Sequence, residues 1–301
     1  MKNIMEKNDI NVALITDDNY FLPAMVTIRS LCEHTKEKII IKCIITEDIS
    51  EDTEVHVTDI NNKYSNVDLQ ILYFDTTFLD DVKTKFHISK AAYVKIYLPT
   101  ILETFNKVIF LDSDLLIRND IKHLWDLFEN KYELGAVWNP GYIKDNSLIG
   151  VKDTDKTFNS GVMLMNLEKM RINKSSEALE KFIKEHNGET HLNDQPAFNS
   201  IYRYNWQELP LIWNTQFQFF AKSYKKIGIS KEEQKQLQSN PAIVHFTTAS
   251  KPWKFRSHHP FKEEYNKYYK LIAKNPENND FSVKNLLKFI REVIILRFYK
   301  I

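Results

Sequence analysis

Glycine is scarce in this chain of 301 residues: six are present, about a quarter of ordinary usage. They are Gly135, Gly141, Gly150, Gly161, Gly188 and Gly228. No spacing among them gives G-x-G-x-x-G or G-x-x-x-x-G-K-[ST], so neither a dinucleotide-binding turn nor a P-loop can be built. Any nucleotide phosphate must be held some other way. Cysteine is scarcer still, with Cys32 and Cys43 alone. That excludes a disulfide scaffold and a cysteine-rich zinc site, and points to a reducing, cytoplasmic setting. Charge of either sign is not in excess, at 41 Lys and Arg against 40 Asp and Glu. Nucleic acid is therefore not expected as a partner. The opening MKNIMEKNDIN lacks an apolar core segment, so no secretory signal is expected.

What is present suits a globular protein with a real core: 43% hydrophobic, 27% charged and 13% aromatic residues. Short apolar runs of strand length alternate with helix-like segments. Residues 11–16, 39–46 and 68–74 read as strands, with helices over 20–35 and 52–65. A helical stretch around 88–104 leads to KVIFLDSDLLI (107–117), read as one strand covered on both faces. This alternation points to an α/β fold with a mainly parallel sheet. Further along, 135–141, 161–167 and 241–248 read as strands, with a helix over 175–187 and loops over 194–215. In such folds ligands bind beyond the carboxyl ends of strands. Asp17-Asp18 and Asp112-Ser113-Asp114 both fall at such ends.

Two carboxylates at Asp112 and Asp114 can reach one hard cation, and oxygen ligands suit magnesium or manganese. A solvated acidic turn is the plainer reading of the same pair. His245 closes another apolar run, and an imidazole added to two carboxylates favours manganese. Lys251, six residues on, suits a phosphate beside that metal, or is simply a surface lysine; Trp253 reads as a core aromatic. Phe158-Asn159-Ser160-Gly161 reads as a turn entering a strand. Asn193-Asp194-Gln195-Pro196 reads as a helix N-terminus, with Asn193 or Asp194 as capping candidates. Gln195 has no capping duty and is the better candidate for touching substrate.

Taken in order, DDNY (17–20), HISKAAYVKIYLP (87–99), VIFLDSDLLI (108–117), LW (124–125), FNSGVMLMNL (158–167), NDQPAFN (193–199) and HFTTASKPW (245–253) resemble one family. It is glycosyltransferase family 8, the retaining enzymes that include bacterial lipopolysaccharide galactosyl- and glucosyltransferases and, more distantly, glycogenin. The resemblance covers most of the chain. It implies a GT-A (Rossmann-like) α/β fold in a single catalytic domain with a mixed central sheet, a UDP-glucose or UDP-galactose donor, and Mn2+, with Mg2+ as the alternative. It also implies a glycan or glycolipid acceptor, as in surface polysaccharide or lipopolysaccharide synthesis. By position, Asp112, Asp114 and His245 would be the metal ligands. Thr16, Asp17 and Asn19 would line the uridine pocket, and Lys251 would meet the diphosphate with Ser113 and Thr248 close by. Asn159, Asp194 and Gln195 would surround the donor sugar, with Gln195 as the catalytic candidate and Asp194 the reserve nucleophile. Lys95, a further substrate-binding candidate, stands where the family usually has arginine, and Thr248 where its last motif usually has glycine.

The polar stretch KNPENND (274–280) reads as a boundary between a catalytic domain over 1–273 and a C-terminal segment over 274–301. Within it, 281–301 interleaves apolar residues with Lys284, Lys288, Arg291, Arg297 and Lys300, opposed only by Glu292. It reads either as a helix docked on the body or as a basic amphipathic helix on an anionic membrane surface, peripheral on the inner face of the plasma membrane. It is too charged to span a bilayer. Rival functions remain open from sequence: a relative that binds UDP-sugar without transfer, a phosphatase using Asp112 of the D-x-D as nucleophile, and a glycogenin-like self-glucosylating enzyme, for which no acceptor is marked among the 14 tyrosines.

Overall fold

The computed structural model describes residues 9–79, 90–140, 145–187, 189–190, 194–273 and 280–298. Asn193 and the first three residues of the 87–99 motif lie outside the described residues, as does most of the 274–280 stretch. The strands are β1 (Ile10–Thr16), β2 (Ile39–Ile45), β3 (Val67–Tyr73), β4 (Lys107–Leu111), β5 (Leu115–Ile117), β6 (Leu134–Trp138), β7 (Phe158–Asn166), β8 (Gln207–Leu209), β9 (Thr215–Gln216) and β10 (Ile243–His245). They fall in two compact units.

The first unit comprises Met1–Asn19, Lys36–Asp112 and Lys122–Leu209. Its sheet has seven strands in the order β3-β2-β1-β4-β7-β6-β8. Neighbours β2–β3, β1–β2, β1–β4 and β6–β8 are parallel, while β7 runs antiparallel to both β4 and β6. All seven residues of β1 are buried, and Val12–Ile15 give it an unbroken apolar centre. Ala13, Phe110, Met163, Phe158 and Phe198 belong to one core cluster on this sheet. Because β7 opposes β4, the start of β7 lies at the same sheet edge as the end of β4: the Asp112 N–H donates to the Gly161 carbonyl at 2.8 Å. Phe158–Gly161 is therefore the first turnless stretch of β7 and not a turn before it. The expected loops over 194–215 instead carry a helix at Gln195–Ile201 and strand β8.

The second unit comprises Tyr20–Thr35, Ser113–Ile121 and Pro210–Ile301, around a small sheet ordered β5-β10-β9. KVIFLDSDLLI is thus two strands, not one. β4 ends at Leu111, and β5 pairs antiparallel with β10 in the other sheet. The polar Asp-Ser-Asp interruption is the point where the chain leaves one sheet for the next. Helix Phe21–His34 fixes β5 through hydroxyls: Thr27 Oγ1 donates to the Ser113 and Leu115 carbonyls at 3.0 Å each, and Ser30 Oγ accepts from the Ile117 N–H at 3.0 Å. An aromatic core of Phe220, Phe246, Phe261, Tyr265 and Tyr269 fills the unit, and Trp253 packs against it as expected of a core aromatic. The C-terminal helix, Val283–Phe298, buries Glu292 and Leu296 in this unit.

His259 sits inside that core, in ring contact with Phe217, Phe220, Phe246 and Phe261. Its Nδ1 accepts from the Phe261 N–H at 3.2 Å and its Nε2 has no partner. Burial pushes its pKa down from 6.5 to about 3. The folded chain therefore refuses a proton that the unfolded chain accepts below about pH 6.5. Stability should fall as pH drops through that window, by up to about 1.4 kcal/mol per pH unit from this group. The variant His259→Asn keeps an acceptor for the Phe261 N–H, so it should flatten the decline in denaturation midpoint between about pH 7 and 5. An unchanged slope would contradict this assignment.

Candidate active site

Each acidic side chain of the Asp112-Ser113-Asp114 segment is matched to a lysine of its own unit. In the first unit, Lys95 Nζ lies 3.2 Å from Asp112 Oδ1 and 3.0 Å from Asp194 Oδ2. It also donates to the Ser160 carbonyl at 3.3 Å and stands 4.6 Å from the Phe110 ring centroid. Burial alone would lower the Lys95 ammonium pKa, but the Asp112 and Asp194 carboxylates reverse this and hold it above the ordinary lysine value. Ser160 Oγ donates to Asp194 Oδ2 at 2.8 Å. Asp194 stands at the N-terminus of helix Gln195–Ile201 but makes no capping hydrogen bond. The capping reading of Asp194 fails because its carboxylate is engaged by Lys95 and Ser160.

Gln195 and Asn159 interlock at the same sheet edge. Gln195 Oε1 accepts from Asn159 Nδ2 at 3.1 Å and from the Ser160 N–H at 3.3 Å, while Asn159 Oδ1 accepts from the Gly161 N–H. The Gln195 Nε2 is buried without a partner. A buried amide donor left unpaired is costly unless a ligand takes it. Along this edge, beyond the carboxyl end of β1, Thr16 Oγ1 donates to the Asp17 carbonyl; Thr16 and Asp17 are buried and Asn19 is exposed. Asp18 is committed elsewhere, accepting from both the N–H and the hydroxyl of Ser50 at 2.7 Å each.

In the second unit, Asp114 pairs with Lys251 through Oδ2 and with His245 Nε2 through Oδ1, the latter at 3.2 Å. Burial favours the neutral acid, but the Lys251 ammonium and His245 outweigh it and hold the Asp114 carboxyl well below the usual carboxylate range. Lys251 Nζ also donates to the Phe246 carbonyl at 2.7 Å and faces the Tyr20 ring. Thr248 stands where the family's last motif usually has glycine, and its hydroxyl accepts from the Ser250 N–H at 3.2 Å, closing a short turn ahead of Lys251. Ser113 is buried, its carbonyl bound by Thr27.

Asp112, Asp114 and His245 each offer one ligand atom, and among the described residues these three lie within 4.8 Å of one another. Two carboxylates and an imidazole are a donor set that a divalent cation can use. The imidazole is already oriented for this: His245 Nδ1 meets Asn214 Oδ1 at 2.9 Å. An amide oxygen only accepts, so Nδ1 carries a proton, and Nε2 is the ring nitrogen that faces Asp114. Asn214 escaped the sequence reading. It lies 31 residues before His245, in a stretch read as loop, and no motif marks it. Ser160 escaped too, although Phe158–Gly161 drew attention on account of its asparagine and glycine.

The model of a family described as glycosyl transferase family 8 matches residues 11–257. General stress protein A of Bacillus subtilis is 31% identical over 91% of this chain and 98% of its own length. The lipopolysaccharide 1,2-glucosyltransferase of Escherichia coli is 23% identical, covering 96% of this chain and 86% of that protein. Among solved structures, the galactosyltransferase LgtC in complex with donor and acceptor sugar analogues superposes with a TM-score of 0.77 at 20% identity, over 89% of this chain and 98% of that one. The fold is thus the mixed-sheet GT-A fold expected from the motifs.

The Lys95 pairing generates a direct test. Replacing Lys95 by Met leaves the Asp194 carboxylate buried without its counter-charge, at an expected cost of roughly 3–5 kcal/mol in unfolding free energy. Adding Asp194→Asn should recover much of that loss, as read by denaturant unfolding. A Lys95→Met protein as stable as wild type would show that the ion pair is not what holds this edge.

Proposed function

This chain belongs to glycosyl transferase family 8, and on that premise we propose that it is a metal-dependent hexosyltransferase acting with retention of configuration. The donor is UDP-glucose or UDP-galactose and the acceptor a glycan or glycolipid of a surface polysaccharide or lipopolysaccharide. The observation that carries this reading is the three-donor cluster of Asp112, Asp114 and His245 with Lys251 against Asp114. Those three residues would hold Mn2+, or Mg2+. Bound there, the cation supplies Lewis-acid stabilisation of the negative charge on the departing diphosphate.

The chain's own groups do the rest. Lys251 supplies a compact positive charge for the diphosphate. Thr16, Asp17 and Asn19 line the uridine pocket, and Ser113 and Thr248 border the phosphates. Asn159, Asp194 and Gln195 surround the hexose, with Lys95 paired to the Asp194 carboxylate. In the step itself, the bond from the anomeric carbon to the β-phosphate oxygen breaks and the acceptor oxygen bonds to the same face. The acceptor's proton passes to the departing phosphate oxygen. Asp194, whose Oδ2 is held by Lys95 and Ser160, is the reserve nucleophile for a covalent route. Gln195, an amide, is a poor nucleophile. Its unpartnered Nε2 is instead a donor for a sugar oxygen, which develops its full value as charge builds in the transition state.

The C-terminal helix adds a location. Val283, Leu287, Ile290, Ile294 and Phe298 are all exposed and recur every three or four residues, forming one outward apolar stripe. Lys284, Lys288, Arg291 and Arg297 are also exposed on this helix. No described helix is long and apolar enough to cross a membrane. We therefore read the stripe as lying on an anionic bilayer surface, basic residues at headgroup level, while Glu292 and Leu296 face the protein.

Release of UDP from UDP-glucose or UDP-galactose, followed with and without Mn2+, tests the activity. Turnover should require the metal, and Asp194→Asn should keep it near normal; a loss of about 10³-fold or more would reinstate Asp194 as nucleophile. Tight UDP binding without turnover would favour a binding relative, and phosphate release without nucleotide a phosphatase. In the same preparations, Leu287→Asp with Ile294→Asp should abolish sedimentation with phosphatidylglycerol vesicles and leave UDP release intact. Unchanged sedimentation would sink the membrane reading.

A further inference from the structure

Glu292 is an anomaly on its helix. It is the sole acid between Val283 and Phe298, and it is 7% exposed while every basic residue of that helix faces solvent. Burying a carboxylate is unfavourable unless its oxygens are satisfied, and packing alone would be served better by leucine. Its partners explain it. Glu292 Oε1 accepts from the His258 N–H at 2.6 Å, and the Ser250 hydroxyl donates to the same carboxylate. The two donors mark the two ends of the segment 250–258, which carries Lys251.

That segment has little regular structure of its own and is tied down by side chains from elsewhere in the same unit. Lys262 Nζ donates to the Lys254 and Ser257 carbonyls at 2.9 and 3.0 Å. The Phe255 N–H donates to Asp280 Oδ1 at 2.6 Å, and Asn285 Nδ2 donates to the Asp280 carbonyl at 2.7 Å. Phe255 packs between Phe281 and Phe289, at ring-centroid distances of 5.0 and 5.8 Å. The inner end of the segment delivers Lys251 to Asp114. From outside, Lys262 and the Asp280–Glu292 stretch share its polar contacts, and Glu292 alone holds both ends.

We propose that Glu292 is a positioning residue for Lys251: it clamps the ends of the Ser250–His258 segment from the C-terminal helix and so keeps the lysine aimed at Asp114. The helix thereby has two faces with two duties, an outer apolar stripe and an inner carboxylate that braces the site. Extending this to donor binding rests on the reading above in which Lys251 meets the diphosphate. Under that reading, loosening the segment weakens donor capture more than the chemical step, because the residues around the sugar belong to the other unit and keep their own contacts.

The test uses the full-length protein with Glu292→Ala, Glu292→Gln and wild type. Hydrogen exchange without ligand should show the amides of 250–258 exchanging at least about tenfold faster in Glu292→Ala. KM for the UDP-sugar should rise about tenfold with kcat changed less than about threefold. Glu292→Gln keeps one carbonyl oxygen for the His258 N–H and should recover most of both effects. If Glu292→Ala does not fold, Glu292→Gln alone should still show a KM raised about threefold and intermediate exchange. Unchanged exchange over 250–258 overturns the proposal, as does faster exchange with KM and kcat both at wild-type values. Should wild type bind no UDP, the donor reading fails, and the exchange measurement alone decides whether Glu292 holds the segment.

Discussion

Two carboxylates separated by one residue repel each other, and one of them is buried. The structure tolerates Asp112 and Asp114 because each meets its own ammonium group, Lys95 for the first and Lys251 for the second. Most of what surrounds these pairs serves to keep them there. The antiparallel insertion of β7 brings the Ser160 carbonyl and hydroxyl to the Lys95–Asp194 pair. Thr27 and Ser30 pin the backbone of 113–117, and Asn214 turns His245 toward Asp114. Truncating either lysine removes a charge balance and not merely a contact.

Under the proposed function, the arrangement would let a chain so poor in glycine hold a phosphorylated ligand. A glycine-rich loop cradles phosphate with backbone N–H groups, which requires backbone free of side chains. Here the positive charge comes from side chains and from a site suited to a divalent cation. Even Thr248, at the position where close backbone approach was anticipated, is used to shape the turn ahead of Lys251 through its hydroxyl.

Much of this was legible in the sequence, and what was not has physical reasons. β1 and β2 were visible because buried parallel strands leave largely apolar runs, and β3 because buried Val67 and Leu69 alternate with the less buried Asp68 and Gln70. The same rule misread 107–117, where two apolar strands from different sheets happen to be joined by three residues. The D-x-D pair and His245 stood out because each terminates an apolar run. The capping reading of Asp194 was reasonable from its place before Gln195-Pro196, and failed because Lys95, 99 residues earlier by position number, claims the carboxylate. Asn214 and Glu292 could not be found by pattern. Their importance lies in single contacts across long separations, and only the fold brings them to His245, Ser250 and His258.

If Asp112, Asp114 and His245 hold a divalent cation that, with Lys251, receives a nucleoside diphosphate, UDP binding must depend on the metal. Calorimetric titration of UDP into the protein, with Mn2+ and then with the metal removed by chelation, addresses it most directly. The account predicts binding in Mn2+ that weakens by at least about tenfold without it, some 1.4 kcal/mol. Equal affinity in the two conditions would contradict it.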